Sequence, residues 1–476
     1  MYPKLQTFLV LGLSRSGVAA AEFLLKKNAK TYIYDDVPSE SVRKNAQTLA
    51  EMGAILVEKD DLQKTASVCD ALVLSPGIPV DHPLAVAFKR DGRAVIGETE
   101  LAARYFQGTV VAVTGTNGKT TTVSMIEKIL QTGGYKAKAC GNIGAPILCE
   151  IDSDTDLAVA EISSFQLETL QSLKPHVAVL LNVTEDHLNR HYNMENYVFL
   201  KRKLFKNCTE AEYAVLNYDD ETARETAEQT KARVVYFSMR RKLNGAYFSD
   251  GGLYFGTERI MEAADLPLDG VHNVQNALAA IAVAKIMGVK NQDVKTALTE
   301  FKGIRHRIEL VAEKDGVRYI NDSKGTNVDA TLKAVSCMKR ETVLLLGGKE
   351  KGYDYDRLFT ALTGSKIIHA VLYGENRLSL TAAALRSGFK EISVCGKFSF
   401  AVSLARMLAK SGQDVLLSPA SASFDEFSGY EERGDTFVEI VRSFKDSEED
   451  VCSSVEVDIA EAKSNVERDV DGDSQE

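Results

Sequence analysis

The sequence predicts an α/β architecture of three domains in series: a Rossmann-like N-terminal domain, a central phosphate-loop ATPase domain and a Rossmann-like C-terminal domain. Three observations lead there. The chain has 476 residues, about three domains at roughly 150 residues each. Short apolar runs recur along it, each ending in a polar or glycine-containing turn and followed by a helical stretch, as in parallel sheets covered by helices. One such turn, Thr114-Gly115-Thr116-Asn117-Gly118-Lys119-Thr120-Thr121, has the form of a phosphate-binding loop. The expected divisions are residues 1–94, 95–302 and 303–445, with an acidic tail at 446–476.

The first segment opens with a strand at Phe8–Leu11, a tight turn Gly12-Leu13-Ser14-Arg15-Ser16-Gly17 and a helix. A second strand, Thr31–Tyr34, ends at Asp35-Asp36, about 20 positions after the turn, as in a βαβ nucleotide-binding unit. Ser14 occupies the position of the second glycine of G-x-G-x-x-G, which favours a nucleotide or diphosphate ligand over an intact dinucleotide. A third strand, Ala71–Leu74, delivers the rigid loop Ser75-Pro76-Gly77-Ile78-Pro79 to a carboxyl strand end, where α/β ligands sit.

In the central segment, Val110–Val113 is a strand running into the phosphate loop. Consecutive N–H groups at the following helix N-terminus favour an anion, Lys119 can reach a terminal phosphate, and the Thr120 hydroxyl can ligate Mg²⁺. The loop is a short variant, since Val113 stands where the first glycine of G-x-x-x-x-G-K-[ST] is usual. Leu157–Glu161 is a strand that ends in a carboxylate placed to share Mg²⁺ with Thr120. Val177–Asn182 leads into Val183-Thr184-Glu185-Asp186-His187-Leu188, and three of the seven His (His176, His187, His191) fall within sixteen residues here. Lys201-Arg202-Lys203, read from the residues alone, is a solvated helix face. A strand at Tyr213–Asn217 and a helix at Asn273–Met287 complete the segment.

The third segment has strands at Val317–Asn321, Thr342–Leu346, Ala370–Tyr373 and Val415–Ser418. Gly303-Ile304-Arg305-His306-Arg307 is a basic turn or a nucleotide contact. Three polar loops end three of the strands: Asn321–Asn327, Gly347–Gly352 and Ser418–Asp425. They imply a small polar, anionic ligand shared with the phosphate loop.

Composition excludes several classes. The net charge of −10 resides in residues 446–476, where twelve acidic and two basic side chains give the same −10, so the rest is formally neutral. That tail is poor in large apolar residues and is expected to be disordered. Seven scattered Cys lack pairing or ligand spacing and read as reduced cytosolic thiols. The N-terminal residues lack a signal-peptide pattern, and no apolar run approaches a membrane span. No basic stripe with interleaved aromatics suggests nucleic acid. The expectation is a cytoplasmic monomer acting on small molecules.

Taken together, Gly115–Thr120, Ser75-Pro76-Gly77, Asn321-Asp322-Ser323-Lys324-Gly325-Thr326-Asn327, Ser418–Phe427 and Arg433-Gly434-Asp435 resemble the Mur ligase family of ATP-dependent amide-bond-forming enzymes, over nearly all of residues 1–445. The resemblance implies that ATP phosphorylates the terminal carboxylate of UDP-N-acetylmuramoyl-L-alanine, and that the amine of D-glutamate displaces phosphate from the acyl phosphate. It implies Lys119, Glu161, His187 and Lys201 as catalytic groups. Gly115, Thr116, Asn117, Gly118, Lys119, Thr120, Thr121, Asn273, Asn276, Arg307 and Asp322 would bind ATP. Two Mg²⁺ would be held by Thr120, Glu161, His187 and a carbamylated Lys201, placed by the spacing Tyr197-x-x-x-Lys201-x-Lys203-Leu204-Phe205. Arg15, Ser16, Asp35, Asp36, Ser75, Asn142, Ser163 and His187 would bind the nucleotide-sugar substrate. Lys324, Thr326, Lys351, Ser423, Phe424 and Tyr430 would surround D-glutamate. Asn189 stands where the family usually has Asp, and the acidic tail is outside the pattern. Other amino-acid-adding members and folylpolyglutamate-type ligases share the phosphate loop; a non-catalytic nucleotide-binding scaffold is the alternative of another class.

Overall fold

The computed structural model describes residues 6–444 apart from 38, 151–154, 269 and 351–353; the acidic segment 446–476 lies outside the described residues. The chain divides into two compact units at Gly303, where the sequence places its third segment. The first unit contains two sheets and the second contains one.

The first sheet is formed by β1 (Thr7–Leu11), β2 (Lys30–Tyr34), β3 (Ile55–Leu56), β4 (Ala71–Leu74) and β5 (Ala94–Ile96), all parallel, in the order β3-β2-β1-β4-β5. Helices on both faces bury Leu9, Val10, Leu11, Leu72 and Val73 completely or nearly so, which is why these strands are uniformly apolar. β5 carries this sheet through Ile96, so the range 95–302 begins inside it.

The second sheet has nine strands: β6 (Thr109–Thr114), β7 (Ala137–Gly141), β8 (Leu157–Glu161), β9 (Val177–Leu180), β10 (Tyr213–Asn217), β11 (Arg233–Ser238), β12 (Ala246–Ser249), β13 (Gly252–Phe255) and β14 (Glu258–Glu262). Their order is β14-β13-β12-β11-β10-β9-β6-β8-β7; the last two pairings toward β14 are antiparallel and the others parallel. β6 therefore lies between β8 and β9, and the loops that follow these three strands share one edge. The helix Lys119–Thr132 continues from the phosphate loop and packs on the helix Val271–Ile286, whose residues Asn276–Ala284 are all buried. A helix apolar on every side belongs in such an interior position.

The second unit is a sheet of β15 (Glu309–Lys314), β16 (Val317–Asn321), β17 (Thr342–Gly347), β18 (Ile367–Tyr373), β19 (Ile392–Val394) and β20 (Asp414–Leu417), in the order β15-β16-β20-β17-β18-β19. Only β15 is antiparallel to its neighbour. The late strand β20 inserts between β16 and β17, so the three polar loops read from the sequence emerge side by side.

Where β1 and β4 meet, the first turn is closed by a close approach of backbone. A Cβ on Gly17 would stand 1.8 Å from the Gly12 carbonyl oxygen and 2.7 Å from Ser75 Oγ. Gly17→Ala is expected to cost about 1–3 kcal/mol, as overpacking of a filled interior does, read as a lower urea midpoint. Gly77→Ala, where an added Cβ meets nothing within 4 Å, serves as the near-neutral comparison. Equal midpoints for the two variants would contradict the close approach.

Candidate active site

The phosphate loop is held open from beneath. Gly118 adopts φ +84° as the cap of the helix Lys119–Thr132, and a Cβ there would lie 2.3 Å from Asn276 Oδ1. Both the left-handed backbone and the approach of Asn276 require glycine. Asn182, just beyond β9, clamps the loop: the Asn117 N–H donates to its Oδ1 at 2.9 Å, and its Nδ2 donates to the Asn117 carbonyl at 3.1 Å. The Thr116 N–H donates to the Asn182 carbonyl at 3.0 Å, and the Thr116 hydroxyl donates to the Thr184 carbonyl at 3.0 Å.

Two lysines converge on this loop. Lys119 Nζ donates to the Gly115 and Thr116 carbonyls, both at 2.9 Å. Lys201 Nζ donates to the same Gly115 carbonyl at 2.9 Å and is 1% exposed. Burial, reinforced by the Lys119 charge, holds the Lys201 pKa well below the ordinary lysine range. This overturns the reading of Lys201-Arg202-Lys203 as a solvated face. In the helix Met194–Arg202, Tyr197 and Lys201 are one turn apart and turn inward together, with Lys201 Nζ 4.5 Å from the Tyr197 ring centroid. The Tyr197 hydroxyl lies 3.2 Å from that of Thr116, and Lys203 Nζ donates to the Leu167 and Glu168 carbonyls.

Glu161, at the carboxyl end of β8, is 2% exposed. Its Oε2 accepts from the Thr120 hydroxyl at 2.8 Å and its Oε1 from Asn142 Nδ2 at 2.7 Å. A hydroxyl and a carboxylate together at a phosphate loop are oxygen donors of the kind that suits Mg²⁺, which takes few protein ligands and completes its shell with water and phosphate. No group of three or more His, Cys, Asp or Glu side chains able to hold a metal occurs among the described residues. His187 sits on its own turn at φ +54°, with Nε2 3.5 Å from Asp186 Oδ2 and its ring centroid 4.9 Å from that of Phe165.

Asn273 and Asn276 occupy the first turns of the helix Val271–Ile286, with Asn276 Nδ2 3.5 Å from Asn273 Oδ1, and Asn276 borders Gly118. In the first sheet, Asp35 accepts from the N–H groups of Leu13 at 2.7 Å and Val37 at 2.9 Å, and Asp36 pairs with His82 Nε2 at 3.0 Å. The buried Ser75 hydroxyl donates to the Gly12 carbonyl at 2.8 Å. Arg15 is exposed and Ser16 half-buried at the start of the helix Arg15–Lys26. Ser163 caps the helix Ser164–Glu168 in a reciprocal box with Gln166. Asp35, Ser75 and Ser163 thus shape the loops on which a ligand would rest.

In the second unit, the three strand-end loops are tied by Arg433, which is fully buried. Its Nε donates to Ser323 Oγ at 3.0 Å, and its Nη2 to the Ser323 carbonyl at 2.9 Å and the Ser421 carbonyl at 3.1 Å. Around this knot stand Lys324, with Nζ 5.6 Å from the Tyr430 ring centroid, half-buried Thr326, buried Ser423 and exposed Phe424. Lys351 lies outside the described residues. Asp322 accepts from the Ser418 hydroxyl at 2.7 Å; burial pushes its carboxyl up to about 7, against the opposing pull of that bond and of Arg307. Sequence reading missed the roles of Asn182 and Arg433. Asn182 acts across a 65-residue separation, and an arginine on a helix ordinarily faces water.

Three family models match in series: the Mur ligase MurD-like N-terminal domain at residues 6–97, the Mur ligase middle domain at 113–284 and the Mur ligase glutamate ligase domain at 306–421. The UDP-N-acetylmuramoylalanine--D-glutamate ligase of Pelotomaculum thermopropionicum is 42% identical over 444 residues, covering 92% of this chain and 97% of the relative. That of Koribacter versatilis is 39% identical over 449 residues, covering 92% and 98%. Among solved structures, UDP-N-acetylmuramate-alanine ligase MurC of Thermotoga maritima shares the fold with a TM-score of 0.59 at 19% identity, covering 92% of this chain and all of that one.

The state of Asp322 gives the second unit a pH dependence. Its folded pKa of about 7 lies above the ordinary 3.8, so the fold favours the protonated acid. The stability it contributes is present in acid and is lost as pH rises from about 4 through about 7. The protection factors of amides in β16 and β20, with the intrinsic base-catalysed rate divided out, should therefore fall over that window, and Asp322→Asn should flatten the trend. An unchanged slope in Asp322→Asn would contradict the assignment.

Proposed function

The chain belongs to the Mur ligase family, and from that premise we propose that it joins D-glutamate to UDP-N-acetylmuramoyl-L-alanine in the synthesis of peptidoglycan precursors. The chain is a ligase. The names of its relatives carry the choice of amino acid, and the phosphate loop with its Thr120–Glu161 contact carries the choice of ATP as the energy source.

The substrate's alanyl carboxylate attacks the γ-phosphorus of ATP, forming a C–O–P acyl phosphate and releasing ADP. The amine of D-glutamate then adds to the acyl carbon; the C–O bond to phosphate breaks, and the amine loses its proton. Both steps need positioning and neutralisation of negative charge more than a protein nucleophile. Lys119 and the N–H groups at the start of the helix Lys119–Thr132 supply fixed positive charge to the phosphates. Thr120 and Glu161 would hold Mg²⁺, which when bound offsets charge on the transferring phosphoryl group. Asn273, Asn276, Arg307 and Asp322 serve ATP. Lys324, Thr326, Lys351, Ser423, Phe424 and Tyr430 serve the amino acid, and the first-sheet loops serve the uridine diphosphate.

Lys201 is proposed to be carbamylated and to serve, with His187, a second Mg²⁺. Carbamylation needs a neutral amine, and burial beside the Lys119 charge favours that form of Lys201. The amine lone pair bonds the carbon of CO₂ and a proton is released, which places a negative charge beside Lys119.

Phosphate release with UDP-N-acetylmuramoyl-L-alanine, ATP and Mg²⁺ tests the reading across amino acids. D-glutamate should support it and L-glutamate, L-alanine and meso-diaminopimelate should not. A site built to pair two carboxylates rejects analogues that leave them unpaired. Equal use of L-glutamate would overturn the substrate, and tight ATP binding without release for any amino acid would favour a scaffold.

Lys119→Ala should lower kcat by about 10²-fold or more with the fold intact, as loss of a preorganised charge does. Near-wild-type turnover would remove the loop from the mechanism. Lys201→Ala should be nearly inactive and partly restored by short carboxylic acids, which can stand in for the carbamate. Full activity of the variant would end that assignment.

A further inference from the structure

One guanidinium joins the two sheets of the first unit at the edge where their loops emerge. Arg190 forms a two-pronged pair with Glu168, Nε to Oε1 at 3.0 Å and Nη2 to Oε2 at 2.6 Å. Its N–H groups also reach across to the turn after β4, donating to the Ile78 carbonyl at 2.8 Å and approaching the Gly77 and Pro76 carbonyls at 3.4 Å. The two side chains are 14% and 6% exposed, so the pair is largely removed from water. A second strap spans the same segments: the Tyr192 hydroxyl donates to Asp81 Oδ2 at 2.7 Å.

On its other side the pair leads to the phosphate loop. The Arg190 guanidinium lies 5.1 Å from the Phe165 ring centroid, and that ring also packs against His187 at 4.9 Å and His191 at 5.5 Å. His191 Nδ1 is 3.5 Å from Glu168 Oε1 and its Nε2 is 3.0 Å from Ser164 Oγ. Its ring stacks on Tyr197 at 5.4 Å, and the Tyr197 hydroxyl meets Thr116. A planar fork with five donors can satisfy a carboxylate and a set of carbonyls at once, which an ammonium cannot do in the same geometry.

We infer that Arg190, seated on Glu168, is a positioning residue that locks the Pro76-Gly77-Ile78 turn to the His187 turn and so fixes the seat of the nucleotide-sugar substrate relative to the phosphate loop. The substrate named rests on the function proposed above; the lock itself does not. Misplacing a substrate by about an ångström is enough to cost a large factor in rate or binding.

The test uses the full chain with Arg190→Ala, Arg190→Lys and the pair Arg190→Gln/Glu168→Gln, the last leaving no buried carboxylate without its cation. Amide exchange without substrate is read over residues 75–82 and 187–192, and KM is read for all three substrates. Arg190→Ala and the double variant should exchange faster in those two segments. Their KM for the nucleotide sugar should rise about tenfold or more, with KM for ATP and D-glutamate within about twofold. Arg190→Lys should fall between, and added guanidinium ion should partly restore Arg190→Ala. Unchanged exchange in the two segments would overturn the lock. A parallel rise of all three KM values with a lowered Tm in the double variant would reduce the pair to a structural role. If the wild-type chain does not use this nucleotide sugar, the proposed function fails and the exchange comparison still decides the lock.

Discussion

The carbonyl oxygen of Gly115 is the point on which the site turns. It accepts from two lysines, one local and one from a helix more than eighty residues later. Burial first, and the neighbouring Lys119 charge second, disfavour the charged form of Lys201 and hold its pKa well below the ordinary lysine range. The loop geometry therefore creates a demand for negative charge at this spot. In the proposed function, nucleotide phosphates would meet that demand from one side and a carbamate on Lys201 from the other. Around this point the polar groups are already paired: Thr120 with Glu161, Asn142 with Glu161, Asn182 with Asn117. Groups held in advance lose little in reorganising when charge develops, which is where electrostatic catalysis gains its effect.

The same logic organises the second unit. There the buried cation Arg433 donates to the carbonyls of Ser323, Ser421 and, at 3.5 Å, Gly347. It draws the three strand-end loops into one surface. In the first unit Arg190 does the analogous work between two sheets, using Glu168 as its counter-ion. Fixed cations at loop junctions are a fitting scaffold for anionic substrates, because the backbone is held without spending the donors that face the ligand.

Much of the fold was legible because parallel strands buried on both faces must be apolar throughout. Leu157–Ala160 and Val343–Leu346 are completely or nearly completely buried, and sequence reading found both strands. The strands with polar or charged positions were not found. The edge strand β7 carries exposed Lys138, the interior strand β11 begins with exposed Arg233, and the edge strand β15 mixes Glu309, Glu313 and Lys314 with its apolar positions. Strands of two or three residues, β3 and β19, leave too short a pattern to read. The phosphate loop was legible because its chemistry is local in sequence. The burial of Lys201 was not, because it depends on which face the helix Met194–Arg202 turns toward the loop, and only the family resemblance pointed to it.

The proposed function rests on activation of a carboxylate by phosphoryl transfer at the Gly115–Thr120 loop. The direct measurement is isotope transfer: UDP-N-acetylmuramoyl-L-alanine labelled with ¹⁸O in the alanyl carboxylate, turned over with ATP, Mg²⁺ and D-glutamate. An acyl phosphate requires that each amide formed delivers one labelled oxygen to inorganic phosphate. Unlabelled phosphate, with all of the isotope retained in product or lost to water, would contradict it.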